Sequence, residues 1–252
     1  MLPRSPWPLV SSFNAFRLLF SFLIFLKYSD FSMAEYNVIN IIVGSFVWWV
    51  AYRAEFNLEG KESLTIENGL KYSIILFISS EVFFFFSFFW SYFHYYRSPI
   101  MEIGLCWPPY AVQSFDFLNV PIINTLLLLS SGVRVTISHY YLIHNSQFWR
   151  CLALGVTIVL GLLFTVLQGA EYSSSFFSIR DSSFGTSFFM LTGFHGIHVI
   201  IGTIFLATVL YRILKAGPSK IEYLRFELAS WYWHFVDVVW IFLFFLTYYL
   251  NS

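Results

Sequence analysis

Glu81 is the residue whose position most demands a chemical account. It stands in Ser79-Ser80-Glu81-Val82-Phe83, and from Tyr72 to Phe93 no other residue is charged. A carboxyl group that deep in an apolar stretch keeps its proton or meets a partner. Four roles fit it: a proton-linked group, the partner of a lipid headgroup, a hydrogen bond across a helix interface, or a neutral acid bonded to a backbone carbonyl. Arg134 is the second such residue. Its stretch runs antiparallel to that of Glu81 and places it at comparable depth, which raises the hypothesis of a Glu81–Arg134 ion pair. Arg17 lies nearer the end of its stretch and is expected to snorkel to lipid phosphate.

A second group of polar residues falls toward the C-terminus. His195 and His198 stand three apart in Gly193-Phe194-His195-Gly196-Ile197-His198, and Glu227, His234 and Asp237 follow. Three histidines invite a metal or haem reading. The spacing argues against it: the i, i+4 pair and glutamate of HExxH are missing, and paired axial histidines on facing helices are not apparent. Hydrogen bonding among His195, His198 and Glu227 across helices is expected instead. Gly193, Gly196 and Gly202 allow the close approach that this needs.

The elements that position these residues follow from composition. Of 252 residues, 58% are hydrophobic, 23% aromatic and 11% charged, with a formal net charge of +0. Soluble domains carry roughly 25% charged residues. A soluble globule, a disordered chain and a nucleic-acid binder are therefore excluded. Two cysteines, Cys106 and Cys151, cannot make a disulfide framework or a multi-cysteine metal motif. A bilayer core of ~30 Å takes about 20 apolar residues per helix. Seven stretches qualify: 9–27, 36–53, 71–94, 120–141, 149–170, 184–211 and 226–250. Arg17 interrupts the first, and no small-residue cleavage site follows it. It therefore reads as a span and not as a cleaved leader. Pro121 opens the fourth, and Gly217-Pro218 breaks the last connector.

Basic residues set the expected orientation. The side holding the N-terminus carries nine: Arg4, Arg53, Lys61, Lys71, Arg150, Arg212, Lys215, Lys220 and Arg225. The other side carries Lys27, Arg97 and Arg180. The N-terminus is therefore expected on the positive-inside face. Lys71, Arg212 and Lys215 sit where they attract anionic headgroups, at about 1 kcal/mol each. Trp48-Trp49, Trp107, Trp149, Trp231, Trp233 and Trp240 read mostly as an interfacial belt. A retinal protein would need a lysine in the seventh span, and a transporter would show broken helices or an inverted repeat. Neither is seen. The residues alone leave an integral subunit whose polar groups bind lipid or neighbours.

Motifs along the whole chain carry a resemblance. They include Ser5-Pro6-Trp7-Pro8-Leu9, Ser80-Glu81-Val82-Phe83-Phe84, Cys106-Trp107-Pro108-Pro109 and Leu167-Gln168-Gly169-Ala170-Glu171-Tyr172. The longest are Thr192 to Gly202 and Trp231-Tyr232-Trp233-His234-Phe235-Val236-Asp237-Val238-Val239-Trp240. In order and spacing the chain resembles subunit III of cytochrome c oxidase, of the mitochondrial type. The resemblance implies an all-α polytopic fold of seven transmembrane helices in one subunit III domain. Residues 1–60 would form a two-helix bundle and residues 61–252 a five-helix bundle, separated by a V-shaped lipid cleft. It implies a core subunit without a redox centre, in a complex that transfers electrons from cytochrome c to dioxygen and pumps protons. Haem a, haem a3, CuA and CuB would belong to subunits I and II. Subunit I would be the direct partner, with subunit II, accessory subunits and supercomplexes beyond it. Structural phospholipids, a route for oxygen and support for proton uptake are implied as well.

By the same resemblance Glu81 matches an intramembrane glutamate reactive toward carbodiimide. Trp49, Lys71, Arg212 and Lys215, with Glu81, match lipid-binding positions. Arg134, His195, His198, Glu227, His234 and Asp237 are taken as intramembrane polar, structural residues, with no catalytic or metal ligand among them. There are departures. After Trp48-Trp49 the arginine of the family pattern is displaced, in Val50-Ala51-Tyr52-Arg53-Ala54-Glu55, and Lys61-Glu62 replaces a His-His pair. Arg17 and Arg134 stand where the family is usually uncharged. The implied location is the mitochondrial inner membrane, with the N-terminus in the matrix and the C-terminus in the intermembrane space. The 32 phenylalanines fit thymine-rich codons, hence a mitochondrially encoded chain.

Overall fold

A computed structural model describes residues 5–29, 31–59, 64–99, 101, 104–110, 112–144, 146–216 and 220–251, without the side chains of 52–59, 64–66, 216 and 220–222. Arg4, Lys61, Glu62 and Gly217-Pro218 lie outside the described residues, as do the side chains of Arg53, Glu55 and Lys220. Among the described residues seven α-helices occur: α1 Trp7–Tyr28, α2 Ser32–Glu59, α3 Leu64–Arg97, α4 Val120–Ile143, α5 Gln147–Ser173, α6 Ser183–Ala216 and α7 Lys220–Leu243. All seven are long and apolar enough to cross a membrane. No strand occurs among the described residues. The protein is an all-helical, multi-pass membrane protein.

The ends of these helices follow from local chemistry. Pro6 precedes α1, and Pro121 lies in the first turn of α4, where a missing N–H costs nothing. Ser29, at φ 56°, closes α1 by donating its N–H to the Phe25 carbonyl. Serines inside spans satisfy themselves on their own helix: Ser79 Oγ donates to Ile75 O at 2.8 Å and Ser80 Oγ to Phe77 O at 2.6 Å. The expected second span began at 36 and the third at 71, whereas α2 begins at Ser32 and α3 at Leu64. Hydropathy marks the hydrocarbon, and a helix continues past it wherever its backbone bonds do. Glu67 and Lys71, one turn apart and 3.1 Å from each other, support that overhang.

Helix contacts divide the chain into two compact units, Met1–Leu64 and Thr65–Ser252. In the first, α1 and α2 pack as a hairpin. Asn37 Nδ2 reaches Arg17 O at 3.5 Å, and a methyl on Gly44 would lie 2.8 Å from Asn14 Nδ2. The second unit holds the core, built from Phe164, Leu191, Val199, Leu206, Trp233, Val236 and Trp240. There α4 packs on α5 and α7, and α6 on α5 and α7. Helix α3 is fixed to α6 and α7 by side chains, through Phe77–Tyr232, Phe84–Phe194 and Phe85–Phe235.

At its C-terminal end α7 widens into a π-turn, Phe244–Tyr248, and closes with a 3-10 turn, Tyr249–Asn251. Asn251 Nδ2 donates to Leu246 O and Thr247 O at 2.8 and 2.9 Å, meeting carbonyls of the widened turn. Tyr92 from α3 donates to Leu246 O at 2.6 Å, and the Trp107 indole N–H reaches Tyr92 Oη at 3.4 Å. The 98–119 connector is thereby tied to both α3 and the end of α7.

Candidate functional site

Glu81 meets His198. Its Oε2 lies 2.9 Å from His198 Nε2, and His198 Nδ1 lies 2.7 Å from the Phe194 carbonyl. A carbonyl only accepts, so Nδ1 carries a hydrogen. One proton therefore lies between Nε2 and Oε2, on the carboxyl or on the imidazole. In either arrangement the pair as a whole is neutral, which makes it tolerable in hydrocarbon. Phe85 stands edge-on to the imidazole at 5.0 Å and Tyr232 stacks on it at 6.3 Å. The pair joins α3 to α6 inside an aromatic wall.

The other polar groups make separate cross-helix contacts. His195 is fully buried, and its Nε2 donates to Val236 O at 3.2 Å, joining α6 to α7. Lys71 Nζ stands 3.1 Å from Glu67 and 3.7 Å from Glu227, joining α3 to α7 near one end of the bundle. Asp237 is buried against α4, where a methyl on Gly132 would lie 2.5 Å from its Oδ2. His234 Nδ1 is 3.9 Å from the same oxygen. Among the described residues no three His, Cys, Asp or Glu side chains gather as a metal site. The arrangement can hold helices together and hold one proton.

The family model for cytochrome c oxidase subunit III matches residues 1–252. The chain belongs to the cytochrome c oxidase subunit III family. It is 42% identical to cytochrome c oxidase subunit 3 of Mus musculus over 252 residues, 100% of this chain and 97% of that protein. It is 43% identical to the subunit 3 of Rhipicephalus sanguineus over 244 residues, 97% of this chain and 95% of that protein. For the subunit of Tachyglossus aculeatus aculeatus the figures are 41% over 252 residues, with 100% and 97% covered. As a subunit III, the chain is a component of the oxidase that passes electrons from cytochrome c to dioxygen.

Two expectations about this subunit III are corrected. Glu81 does not pair with Arg134: α3 lies on α6 and α7, and Glu81 bonds His198 there. Arg134 is exposed on α4. Nor do His195, His198 and Glu227 bond one another. They find Val236 O, Glu81 and Lys71 respectively. Two tryptophans assigned to a belt also belong elsewhere: Trp233 and Trp240 are buried in the bundle, whereas Trp49 and Trp149 are exposed. Lys215 Nζ lies over the Tyr211 ring at 5.7 Å, at the end of α6 that also carries Arg212.

Some residues were passed over in the sequence. Glu171 is buried, one residue beyond the expected fifth span; the helix continues to Ser173. Asn124 Nδ2 reaches Gln168 Oε1 at 3.4 Å, and Gln168 Nε2 reaches Tyr248 Oη at 3.4 Å. Arg150 is buried, and its three guanidinium nitrogens have no hydrogen-bond partner among the described residues. Its place among loop charges hid this, because a residue four positions into α5 reads as surface until α4 is packed over it.

Proposed function

We propose that this subunit serves the oxidase as scaffold and lipid holder and carries no redox centre. The haems (a and a3) and coppers (CuA and CuB) sit in subunits I and II, and subunit I is the partner it stabilises during turnover. Trp49, Lys71, Arg212 and Lys215 address phospholipid headgroups. The excess of basic residues on one side supports an N-terminus in the matrix of the mitochondrial inner membrane. One observation carries the reading: Glu81, inside the span, is spent on His198, and among the described residues no third side chain hydrogen-bonds to that pair to pass its proton on. A proton carrier needs a chain of such groups; a clasp needs two.

The test compares two variants of the assembled oxidase. Glu81→Gln removes the titratable group but leaves an amide N–H to donate to His198 Nε2. The proton-to-electron ratio and subunit retention are expected to match wild type. Glu81→Leu strands His198 Nε2, costs about 1–3 kcal/mol, and is expected to speed loss of activity during turnover. A Glu81→Gln oxidase that turns over without pumping would overturn the scaffold reading and assign the shared proton to translocation.

A further inference from the structure

Arg134 is a cation exposed part-way along a membrane helix. It stands nine residues from Ile143 and fourteen from Val120 on α4. At 1.5 Å per residue the nearer end is about 13 Å away. The direction of its side chain matters more than the distance. In an α-helix the Cα–Cβ bond tilts toward the N-terminus, and long side chains run back along that direction. For Arg134 this leads toward Val120, deeper into the span and away from the nearer end. Arg17 is the contrast: it is ten residues from Trp7 and eleven from Tyr28, and the tilt leads it toward Trp7, the nearer end. By that tilt Arg17 has a route to the nearer headgroups, whereas for Arg134 the tilt leads away from them.

The chain's own acids do not serve it. Among the described residues Arg134 has no hydrogen bond or ion pair. Glu81 is bonded to His198, Glu227 lies by Lys71, and Asp237 lies against Gly132, on the opposite face of α4. The hydroxyl one turn back, Ser130 Oγ, donates to Leu127 O at 2.9 Å. Apart from small hydroxyls, the exposed surface around Arg134 is apolar, with Leu126, Val133 and Ile137 beside it. An isolated guanidinium in such a surface is costly, and an intramembrane charge of this kind is met by pairing.

We propose that Arg134 marks a docking face of α4, where a transmembrane helix of another oxidase subunit presents an aspartate or glutamate carboxylate at the same depth. The apolar residues flanking Arg134 pack against that helix, and the bidentate ion pair fixes its register. The proposal rests on membership of a multi-subunit oxidase and is independent of the role of Glu81.

The experiment uses the purified oxidase with Arg134→Leu and Arg134→Lys, read by native electrophoresis across a detergent series and by phospholipid phosphorus per complex. Arg134→Leu puts an apolar residue on an exposed membrane face, so folding of the subunit is spared. The fraction of subunit released is expected to rise tenfold or more with Leu and less with Lys, at unchanged phospholipid content. A map of the wild-type complex is expected to show a carboxylate of another subunit within about 4 Å of the guanidinium. Wild-type retention of the Leu variant would overturn the proposal. So would loss of one phospholipid per complex with the subunit retained, which would identify a lipid phosphate as the partner. A map without that carboxylate would also overturn it, whatever the variants do.

Discussion

The substitution Gly161→Ala tests whether the five-helix unit is held by a wedge. Trp233 projects from α7 between two glycines, Gly161 on α5 and Gly202 on α6. A methyl on Gly161 would lie 2.5 Å from Thr203 Cγ2 and 2.8 Å from Trp233 Cη2; one on Gly202 would lie 2.8 Å from Trp233 Cε3. The indole has no freedom to withdraw. It is fully buried, and its N–H donates at 2.9 Å to Ser131 Oγ on α4, which itself donates to Leu128 O at 2.6 Å. One side chain therefore fixes the spacing of α4, α5, α6 and α7. Overpacking of this kind costs about 1–3 kcal/mol. Alanine returns about 1 kcal/mol of helix propensity over glycine. The difference is about 0–2 kcal/mol, and because the clash sits at ring and methyl atoms that are themselves enclosed, Gly161→Ala is expected to destabilise toward the upper end of that range.

Unfolding in mixed micelles, titrated with a denaturing detergent, measures the change. The sharper readout is a double-mutant cycle with Trp233→Phe. The smaller ring frees the space that the alanine methyl needs, so the double variant is expected to be more stable than the sum of the single losses by about 1 kcal/mol or more. Additive losses within about 0.5 kcal/mol would refute the wedge. Thermal or detergent stability at or above wild type in Gly161→Ala alone would refute it as well.

Two further outcomes follow from buried polar groups. Arg150→Met is expected to stabilise the subunit by about 1–3 kcal/mol in the same titration, because it removes three guanidinium nitrogens without hydrogen-bond partners among the described residues while keeping an unbranched apolar chain. A loss of stability would show that the guanidinium is engaged. Asn251→Ala is expected to cost about 1–3 kcal/mol and to expose the end of α7 to proteolysis, since its amide meets two carbonyls of the π-turn and Tyr92 Oη at 2.8 Å; unchanged proteolysis would argue that the turn holds without it.

What was legible in the sequence and what was not divide along a physical line. Spans were legible because the bilayer imposes length and apolarity on each segment separately, and each can be judged without its neighbours. Pairings were not, because they depend on which helices meet. Glu81 was singled out by its isolation, and its partner was then sought on α4, the next helix in the chain, whereas it bonds His198 on α6. The 98–119 connector is long enough to separate α3 from α4, so adjacency in sequence carried no weight there. The run Phe83-Phe84-Phe85-Phe86 shows the same limit at the scale of one turn. Phe83 is 73% exposed, whereas Phe85 is 2% exposed and lies against His198. A period of 3.6 separates these faces in space, but four identical residues carry no pattern from which to read it.

The tryptophans of α7 extend that point to function. An aromatic near a span end is usually an interfacial anchor. Trp233 and Trp240 lie seven residues apart on one stripe of α7, and each indole N–H meets a hydroxyl of α4: Ser131 at 2.9 Å and Thr125 at 3.0 Å. Order along the two helices is reversed, as antiparallel packing requires. Each hydroxyl also donates to a carbonyl of its own helix, so neither bond leaves a polar atom stranded in hydrocarbon. The α4–α7 interface is thus set by two donor–acceptor relays and by Gly132 giving way to Asp237. The opposite face of α4 is left to carry Arg134 outward. A helix whose inner face is fixed so closely presents its outer cation at a fixed depth and angle, which is what a register-setting contact with another subunit requires.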